Sequence, residues 1–506
     1  MHRRSPDMPT TSLKKIKPAS FDYWKAQHLL NRAGFGGQPQ QTLALRNLGS
    51  EDAVDQLLDF RSDDSYSTPG DEFDSDIMQP ATEEQRREIR RARQSGDEKA
   101  LERYRMARQQ RQRNDRRQMA SIQDWWLERL IETPRPLQEK LTLFWHGHFA
   151  SAYRPIEDSY HMYLQNQFLR RNAVGNFKDD LVHGIIRDPA MIKYLNNNQN
   201  NRNSPNENLS RELMELFTLG EGRGYDEEDI KEGARTLTGY SFRDDGFQFN
   251  QRNHDDSRKT IFGRTGTWDG HDFVELIFTR PAAATFVCEK LYRYFVNDAP
   301  GGFTKSQAAV IRKMAATLKR SDWELKPVLR QLFLSEHFYD EENIGACIKS
   351  PAQLIVQCIR SIQTPTRSLR KLNEACGIMG QSLFNPPSVK GWEGGRKWIN
   401  TSTLFVRQNV AIYLLTGRDE NAKPWDAGQS DFTVEHLVEH LQGISGRDTV
   451  RDGVTYLLRF AHSTPPDEDR IRQWTTYVNE RGGRLDNATI MNLLALITAA
   501  PEYQLC

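Results

Sequence analysis

The clearest helical pattern of the chain reads SPNENLSRELMELFTLG, from Ser204 to Gly220. Ser204 and Glu207 have the spacing of a capping box, and Pro205 suits the first turn of a helix. Gly220 suits its C-terminal end. Leucine and phenylalanine side chains recur at helical spacing between these ends, so one face is expected to pack into a core. The pattern therefore predicts a helical fold around this stretch.

The other face of this predicted helix is polar and is a candidate site. Asn208, Arg211, Glu212 and Glu215 share it. Adjacent carboxyl groups can raise the pKa of one of them, so Glu212 and Glu215 are candidate catalytic residues, with Arg211 to bind an anionic substrate. An ion-pair network with Arg235 or Arg171 that orders the core is the alternative, and the sequence leaves both open.

Two asparagines near the start of this helix are candidate substrate-binding residues. Amide groups close to a helix N-terminus can hold an anion or a sugar hydroxyl, which suits Asn206 and Asn208. Glu207, by contrast, is explained by its capping position.

Composition excludes several classes of protein. The 506 residues carry a formal net charge of +1, and 27% of them are charged, which indicates a soluble protein without a general attraction to nucleic acid or acidic membranes. No apolar run approaches the roughly 20 residues of a membrane-spanning helix. No apolar stretch follows the basic residues at the start of the chain, as a secretory signal requires. We therefore expect a cytoplasmic protein, with export alongside a partner left open.

The five cysteines do not indicate a disulfide framework or a zinc site, because their number is odd and none forms a Cys-x-x-Cys pair. We expect each to be a small buried side chain, with Cys506 as a free thiol. The chain also lacks a phosphate-binding loop, a dinucleotide-binding fingerprint and a nucleophile elbow.

Periodicity divides the chain into a few parts and predicts a mainly α-helical fold class. Residues 1–20 are predicted as a flexible leader, 21–415 as one large multi-helix domain, and 416–506 as a C-terminal helical subdomain. Within the main domain, residues 240–263 predict a small antiparallel β insertion around Asp245-Gly246. Residues 83–118 predict a charged, arginine-rich helical arm. Tyr104 is the single aromatic residue in that arm, so nucleic acid is not an expected partner.

The motif His146-Gly147-His148 is the candidate metal site. Residues two positions apart on a helix face directions about 200° apart, so both histidines can bind one metal only where the helix ends or distorts, which Gly147 permits. An apolar role for His148 and a structural hydrogen bond for His146 form the alternative. The sequence identifies no cofactor beyond this candidate divalent metal.

Two loops contribute further candidates. His254 and Asp255 suit general acid/base chemistry, with Lys259 and Arg235 to bind substrate. An exposed polar turn is the alternative for the loop that carries them. Trp392 lies in a Gly-rich loop with charged neighbours and suits contact with a sugar ring, although a tryptophan in a loop more commonly fills the core.

Several phrases of the chain, in order, resemble one known family. They are residues 31–36 (NRAGFG), 144–149 (FWHGHF), 171–177 (RNAVGNF), 188–191 (DPAM), 206–220 and 234–239 (ARTLTG), followed by His254-Asp255, Lys259 and Gly263. Over residues 20–415 the chain resembles the large bacterial family catalogued as domain of unknown function number eighteen hundred. The resemblance implies no settled biochemical role. It implies a sulfatase- or phosphatase-like partner, because genes for such proteins often lie beside those of members.

Two hypotheses follow. The first is a hydrolase that acts on a polar substrate, a glycan or an anionic ester, through the histidine, glutamate and arginine residues named above. The second is a non-catalytic binding or scaffold protein that works with a sulfatase-like partner or a cell-surface polymer. Convergence of His146, Glu212 and His254 on one solvent-reachable pocket would favour the hydrolase.

Overall fold

The computed structural model describes residues 11–59, 73–418, 432–441, 449–460 and 462–506. Part of the predicted leader (1–10) and parts of the predicted C-terminal subdomain (419–431, 442–448 and 461) lie outside the described residues. The fold is mainly α-helical with two small antiparallel strand pairs, which confirms the predicted fold class.

A series of helices leads up to the β insertion. Two six-residue π-helical segments, named π1 and π2 below, interrupt it at Phe177–Val182 and Leu213–Thr218. The α-helices are α1 (Tyr23–Arg32), α2 (Pro39–Leu48), α3 (Ser50–Leu58), α4 (Glu83–Ser95), α5 (Glu98–Glu132), α6 (Pro136–His148), α7 (Tyr153–Ile156), α8 (Ser159–Arg171), α9 (His183–Ile185), α10 (Pro189–Tyr194), α11 (Asn208–Glu212) and α12 (Glu227–Thr236).

A second series of helices follows the β insertion. Its members are α13 (Gly270–Phe278), α14 (Pro281–Phe295), α15 (Lys305–Arg320), α16 (Leu325–Phe333), α17 (Pro351–Ile362), α18 (Leu369–Ile378), α19 (Thr401–Thr416), α20 (Thr449–Leu458), α21 (Glu468–Asn479) and α22 (Asn487–Ala499). Capping boxes at Asp226, Asp269, Thr304 and Asn400 start α12, α13, α15 and α19. Each cap satisfies backbone N–H groups that have no partner inside the helix, so these residues fix where the helices begin.

The β insertion consists of two separate hairpins. The strands are β1 (Tyr240–Arg243), β2 (Gly246–Phe249), β3 (Lys259–Ile261) and β4 (Arg264–Gly266). β1 pairs with β2 around the predicted turn, and β3 pairs with β4 in a second hairpin. Phe262 and Gly263 form the second turn with φ values of 49° and 74°, and positive φ at both positions is the geometry of a tight two-residue hairpin.

The central helix begins later than predicted and changes type halfway. α11 starts at Asn208, and the side chain of Glu207 pairs with Arg211 instead of closing a capping box. The chain then continues as π2, whose wider turns direct side chains differently from an α-helix. Gly220 follows with a φ of 94°, consistent with its predicted place at the helix end.

α4 and the first half of α5 form a helical hairpin over the predicted arm. Gly96 ends α4 in the left-handed conformation, with a φ of 68°. Side chains of the hairpin are mostly exposed, whereas the second half of α5 buries Trp126 and Leu130 in the core. No described helix, α5 included, is both long and apolar enough to cross a membrane.

The described residues form two apolar core clusters, and α6 contributes to both. Leu141, Phe144 and Trp145 belong to the first cluster, together with residues of α1, α14 and α16. Leu143 belongs to the second, together with residues of α5, α17, α19 and α22. Burial on several sides therefore carries the polar side chains of α6 into the interior.

Candidate functional site

A cleft of about 610 Å³ opens beside the C-terminal end of α6. Its walls come from α6, from α14 and from two loops, residues 347–350 and 390–398, with Cys506 at its base. Of the residues chosen from the sequence, His148 and Trp392 line this cleft.

Two glycines allow the 390–398 loop to approach α6. Gly391 has a φ of 79°, and a side chain there would overlap the carbonyl oxygen of Gly147. A side chain at Gly147 would in turn press on the ring of Trp392, 3.3 Å away. The sequence suggested Gly147 as a point where the helix distorts; in the structure it makes room for Trp392.

His146 is buried among aromatic rings. Its ring centroid lies 5.4 Å from that of Trp126, 5.3 Å from Phe384 and 5.6 Å from Trp392. Neither ring nitrogen has a hydrogen-bond partner among the described residues. Burial lowers the pKa of His146 to about 3, so the imidazole is neutral at pH 7.

His148 faces the other core cluster. Its Nε2–H donates to the carbonyl oxygen of Phe217 in π2 at 2.9 Å, and Nδ1 is buried without a partner in the described part of the chain. Burial lowers the pKa of His148 to about 3. Because the two histidines face different neighbours, no shared ligand geometry is visible, and their binding of one metal stays a prediction.

Positive charge dominates the lining of the cleft. The basic side chains are Arg32, Lys140, Lys290, Arg293, Lys390, Arg396 and Lys397, and the carboxylates are those of Asp298 and Glu393. Lys390 pairs with Glu221 at 2.7 Å, and Lys397 pairs with Glu393 at 3.4 Å. Within the described residues, Lys290 and Arg396 have no carboxylate at salt-bridge distance. The cleft therefore holds cationic groups that no protein anion neutralises directly.

The floor of the cleft is built from buried polar side chains. Lys140 Nζ donates to the carbonyl oxygen of Gly34 at 3.0 Å and to the side-chain oxygen of Gln353. Arg32 donates to two backbone carbonyls of α14 and to the sulfur of Cys506, the latter at 2.9 Å. Burial lowers the pKa of Lys140 to about 7, so this amine changes protonation state near neutral pH.

Cys347 and Cys506 lie side by side on this floor. The Cys506 N–H donates to the Cys347 carbonyl at 2.8 Å, and the return bond measures 3.4 Å. All five cysteines are free and buried, as predicted. Burial by itself raises the pKa of Cys506, but Arg32, Lys140 and a third cation, Lys349, lower it overall. The electrostatic field of the floor therefore favours an anion.

Arg211 is the centre of an ion-pair network on the central helix. It donates to Glu227 of α12 at 2.8 and 3.0 Å, to Glu207 at 2.9 Å and to Glu215 at 3.3 Å. An ion-pair network is therefore present on this face, but it is centred on Arg211 and Glu227 and contains neither Arg235 nor Arg171, the predicted partners. Glu215 is held inside it.

Glu212 differs from its neighbours because no hydrogen bond or ion pair holds its carboxyl group among the described residues. Partial burial and the charge of Glu215 raise its pKa, against the opposing fields of Arg211 and Lys390. Lys390 lines the cleft, whereas Glu212 itself does not. Glu212 is the carboxyl group of this face that no ion pair holds in the described part of the chain.

The asparagines before the central helix have structural partners. The Asn206 N–H donates to Asn200 Oδ1 at 2.9 Å, and Asn206 Oδ1 accepts from the Asn208 N–H at 3.0 Å. Asn197 and Asn200 donate in turn to backbone carbonyls at the end of α12 and beyond it. This loop holds residues 201–206 outside the helix, which explains why the predicted capping box does not form.

Four of the predicted site residues form a group that is called the loop cluster below. Its members are Arg235 on α12 and, after β2, His254, Asp255 and Lys259. Arg235 donates to Asp255 at 2.7 Å, and Lys259 donates to the backbone carbonyl of Asp255. The His254 Nδ1–H donates to the carbonyl oxygen of Thr238 at 2.8 Å. Burial raises the pKa of Asp255, but the bonds from Arg235 and its neighbours outweigh it and hold the pKa below its usual range. No member of the loop cluster lines the cleft, and the catalytic and binding roles assigned to it stay predictions.

The sequence did not predict which residues build the cleft floor. Arg32 contacts Cys506 across 474 positions, and Lys140 contacts Gly34 across 106, so no pattern along the chain shows these pairs. One available signal was the single lysine in each of two largely apolar helices, Lys140 in α6 and Lys290 in α14. Such a lysine needs a partner or an opening to solvent.

Comparison with known proteins gives one match. A family model described as "Protein of unknown function (DUF1800)" matches residues 28–505, which confirms the resemblance read from the sequence. No curated protein and no solved structure matches the chain.

Proposed function

Because the chain belongs to the family described as "Protein of unknown function (DUF1800)", we propose a function from the geometry of the cleft. The protein binds a polar, anionic ligand, an anionic ester or an acidic glycan, and hydrolyses it there. The observation that carries this proposal is the unneutralised positive charge of the cleft.

Lys290 and Arg396 supply positive charge that no carboxylate of the described residues neutralises. Neither has a carboxylate partner among the described residues, and Lys290 is packed over the ring of Phe286 at 5.2 Å. A partly desolvated cation gains most from an anion that can form a charge-assisted hydrogen bond. A sulfate, phosphate or carboxylate group of a ligand is such an anion.

The size and walls of the cleft suit a ligand of about one sugar ring. Its 610 Å³ lies within the range of roughly 300–1,000 Å³ typical of small-molecule sites. Trp392 and Trp398 both line it and offer apolar ring faces next to the basic groups.

Hydrolysis needs a group that donates and accepts a proton near neutral pH. Lys140 on the floor has a pKa of about 7 because it is buried, and such a value suits general acid/base catalysis. Glu212, whose pKa is raised, is a second candidate, on the central helix outside the lining of the cleft. In the proposed reaction the elements of water add across the ester or glycosidic bond, and the departing oxygen receives the proton.

A non-catalytic role is the second candidate function. The network around Arg211 and the loop cluster are satisfied by their own partners, as expected of structural groups. The exposed, arginine-rich hairpin of α4 and α5 suits the acidic surface of a partner protein, and the resemblance to the family suggests one of sulfatase or phosphatase type. In that case the cleft binds its anion without turning it over.

Calorimetric titration tests the binding step. We expect glucose 6-phosphate, sulfate and inorganic phosphate to bind and neutral glucose to bind much more weakly. Lys290→Gln and Arg396→Gln should each weaken anion binding about tenfold. Lys305→Gln, which removes an equal charge from an exposed helix start, is the matched control and should leave affinity unchanged. Equal affinity in all three variants would contradict the cleft assignment.

A chromogenic assay tests hydrolysis. The aryl esters p-nitrophenyl phosphate, sulfate and acetate and an aryl glycoside release the same coloured product. We expect release from one anionic ester, with a rate that changes near pH 7 and is lost in Lys140→Met. Anion binding without release of the coloured product from any substrate would support the binding role and contradict the hydrolase.

A further inference from the structure

A second set of ligand-type side chains lies where α9 approaches α13, away from the cleft. His183, His271 and Glu275 each offer one atom, and these atoms lie within 4.8 Å of one another. None of the three lines the cleft, so this site is independent of the proposed function above.

Local structure places each of these side chains. The capping box of Asp269 starts α13 and fixes His271 in its first turn. Glu275 follows four residues later, so both project from the same face of the helix. π1 leads directly into His183, whose Nε2 lies 3.1 Å from Glu275 Oε1. The rings of His183 and His271 stack at 4.5 Å.

The second carboxylate oxygen of Glu275 is held by a cation. Lys178 Nζ lies 3.3 Å from Glu275 Oε2 and 3.3 Å from Asp179 Oδ1. This contact fixes the carboxylate and leaves Oε1 directed at His183, while Asp179 offsets the charge of Lys178. Arg187 is a cation whose field also reaches His183.

The separation of these atoms fits a transition-metal site. Zinc binds histidine nitrogen and carboxylate oxygen at about 2.0–2.2 Å, so the ligands of a tetrahedral site lie about 3.3 Å apart. His183 and Glu275 are already at 3.1 Å. His183 Nδ1 is buried and has no partner among the described residues.

We propose that His183, His271 and Glu275 bind one divalent transition-metal ion of the zinc type. His271 is exposed and Glu275 is partly exposed, so the ion is reached from solvent and completes its coordination with water. The metal links α9 to α13 through side chains from two separate segments of the chain.

Competition against a chromophoric chelator tests this site on untagged, full-length protein stripped of metal. We expect one Zn²⁺ to bind per chain, and Co²⁺ to give the visible absorption of a nitrogen- and oxygen-ligated ion. His271→Ala and Glu275→Gln should each weaken Zn²⁺ binding by about tenfold or more, since even outer-sphere partners contribute that much. His436→Ala, which removes another exposed histidine, is the control.

Thermal unfolding gives a second readout that does not depend on activity. Bound Zn²⁺ should raise the Tm of the wild type and of His436→Ala, because it binds the folded state, and should not raise that of His271→Ala. Absence of Zn²⁺ binding, or equal binding by wild type, His271→Ala and Glu275→Gln, would overturn the assignment. Loss of the bound ion in His146→Ala with retention in His271→Ala would place the metal at the motif of α6 instead.

Discussion

Glu139 and Glu212 carry the same carboxyl group in two opposite surroundings. Glu139, on α6, is fully buried, and it accepts bonds from Arg129 at 2.6 Å, from Arg170 at 2.5 and 3.0 Å, and from the indole of Trp126 at 3.2 Å. Glu212, at the end of α11, is half-buried and has no such bond among the described residues.

The two carboxyl groups respond in opposite directions. Burial raises the pKa of Glu139, but Arg170 and Arg129 outweigh burial and the pKa falls below its usual 4.5. Burial and Glu215 raise the pKa of Glu212. The comparison shows that partners, more than depth, decide which carboxylate is structural and which is available for proton transfer.

Removing the charge of the buried Glu139 should have the largest effect on stability. Glu139→Gln keeps the size of the side chain but leaves Arg129 and Arg170 without their anion in the core. We expect the free energy of unfolding to fall by about 3–5 kcal/mol, the range for loss of one partner of a buried ion pair. Urea denaturation followed by circular dichroism measures it. Glu132→Gln, an exposed glutamate at the end of α5, should change stability by less than about 0.5 kcal/mol, and an equal loss in both variants would contradict the comparison.

The two carboxyl groups should contribute to the pH dependence of stability in opposite directions. The pKa of Glu139 is lowered on folding, so its stabilisation is complete above the unfolded value near 4.5 and is lost as pH falls through the folded pKa. The pKa of Glu212 is raised, so its contribution is complete below the unfolded pKa and is lost as pH rises through the folded one. Unfolding free energies measured from about pH 3 to pH 7 should therefore rise less steeply in Glu139→Gln than in wild type. In Glu212→Gln the unfolding free energy should rise more steeply with pH than in wild type.

The smallest effect on stability is expected for Glu212, the carboxyl group that has no partner among the described residues. Glu212→Gln removes a carboxylate that the fold does not hold, so we expect a change within about 0.5 kcal/mol in the same denaturation assay. If Glu212 transfers a proton in the proposed hydrolysis, the variant loses turnover while its anion affinity in the calorimetric titration stays the same. Unfolding or failed expression of Glu212→Gln would instead assign this residue to the structural class of Glu139.

Much of the fold could be predicted from the sequence because local patterns carry it. Apolar residues at helical spacing gave the mainly α-helical class, and Asp245-Gly246 gave the first hairpin. The start of the central helix was wrong because Asn200 competes for the Asn206 N–H, a contact that the spacing of Ser204 and Glu207 does not show.

The site was harder to predict because its contacts cross the chain. An ion-pair network on the central helix was one of two alternatives, but its centre at Arg211 and its partner Glu227 were not predicted, because Glu227 belongs to a neighbouring helix. The joining of Arg32, Lys140 and Cys506 on one floor was not predicted either, because the three residues come from distant segments that meet only after folding.

The π-helical form of residues 213–218 has a consequence for the comparison of related sequences. A π segment accommodates one residue more than the α-helix that would span the same length. A relative that lacks one residue here would return to α geometry, and the flanking segments would keep their places, because the α-helix spans the same length with one residue fewer. The change would be confined to the segment that holds Glu215 beside Arg211 and the Phe217 carbonyl beside His148. A single-residue gap at this point of an alignment would therefore mark relatives in which these two contacts change while the rest of the helix stays in register.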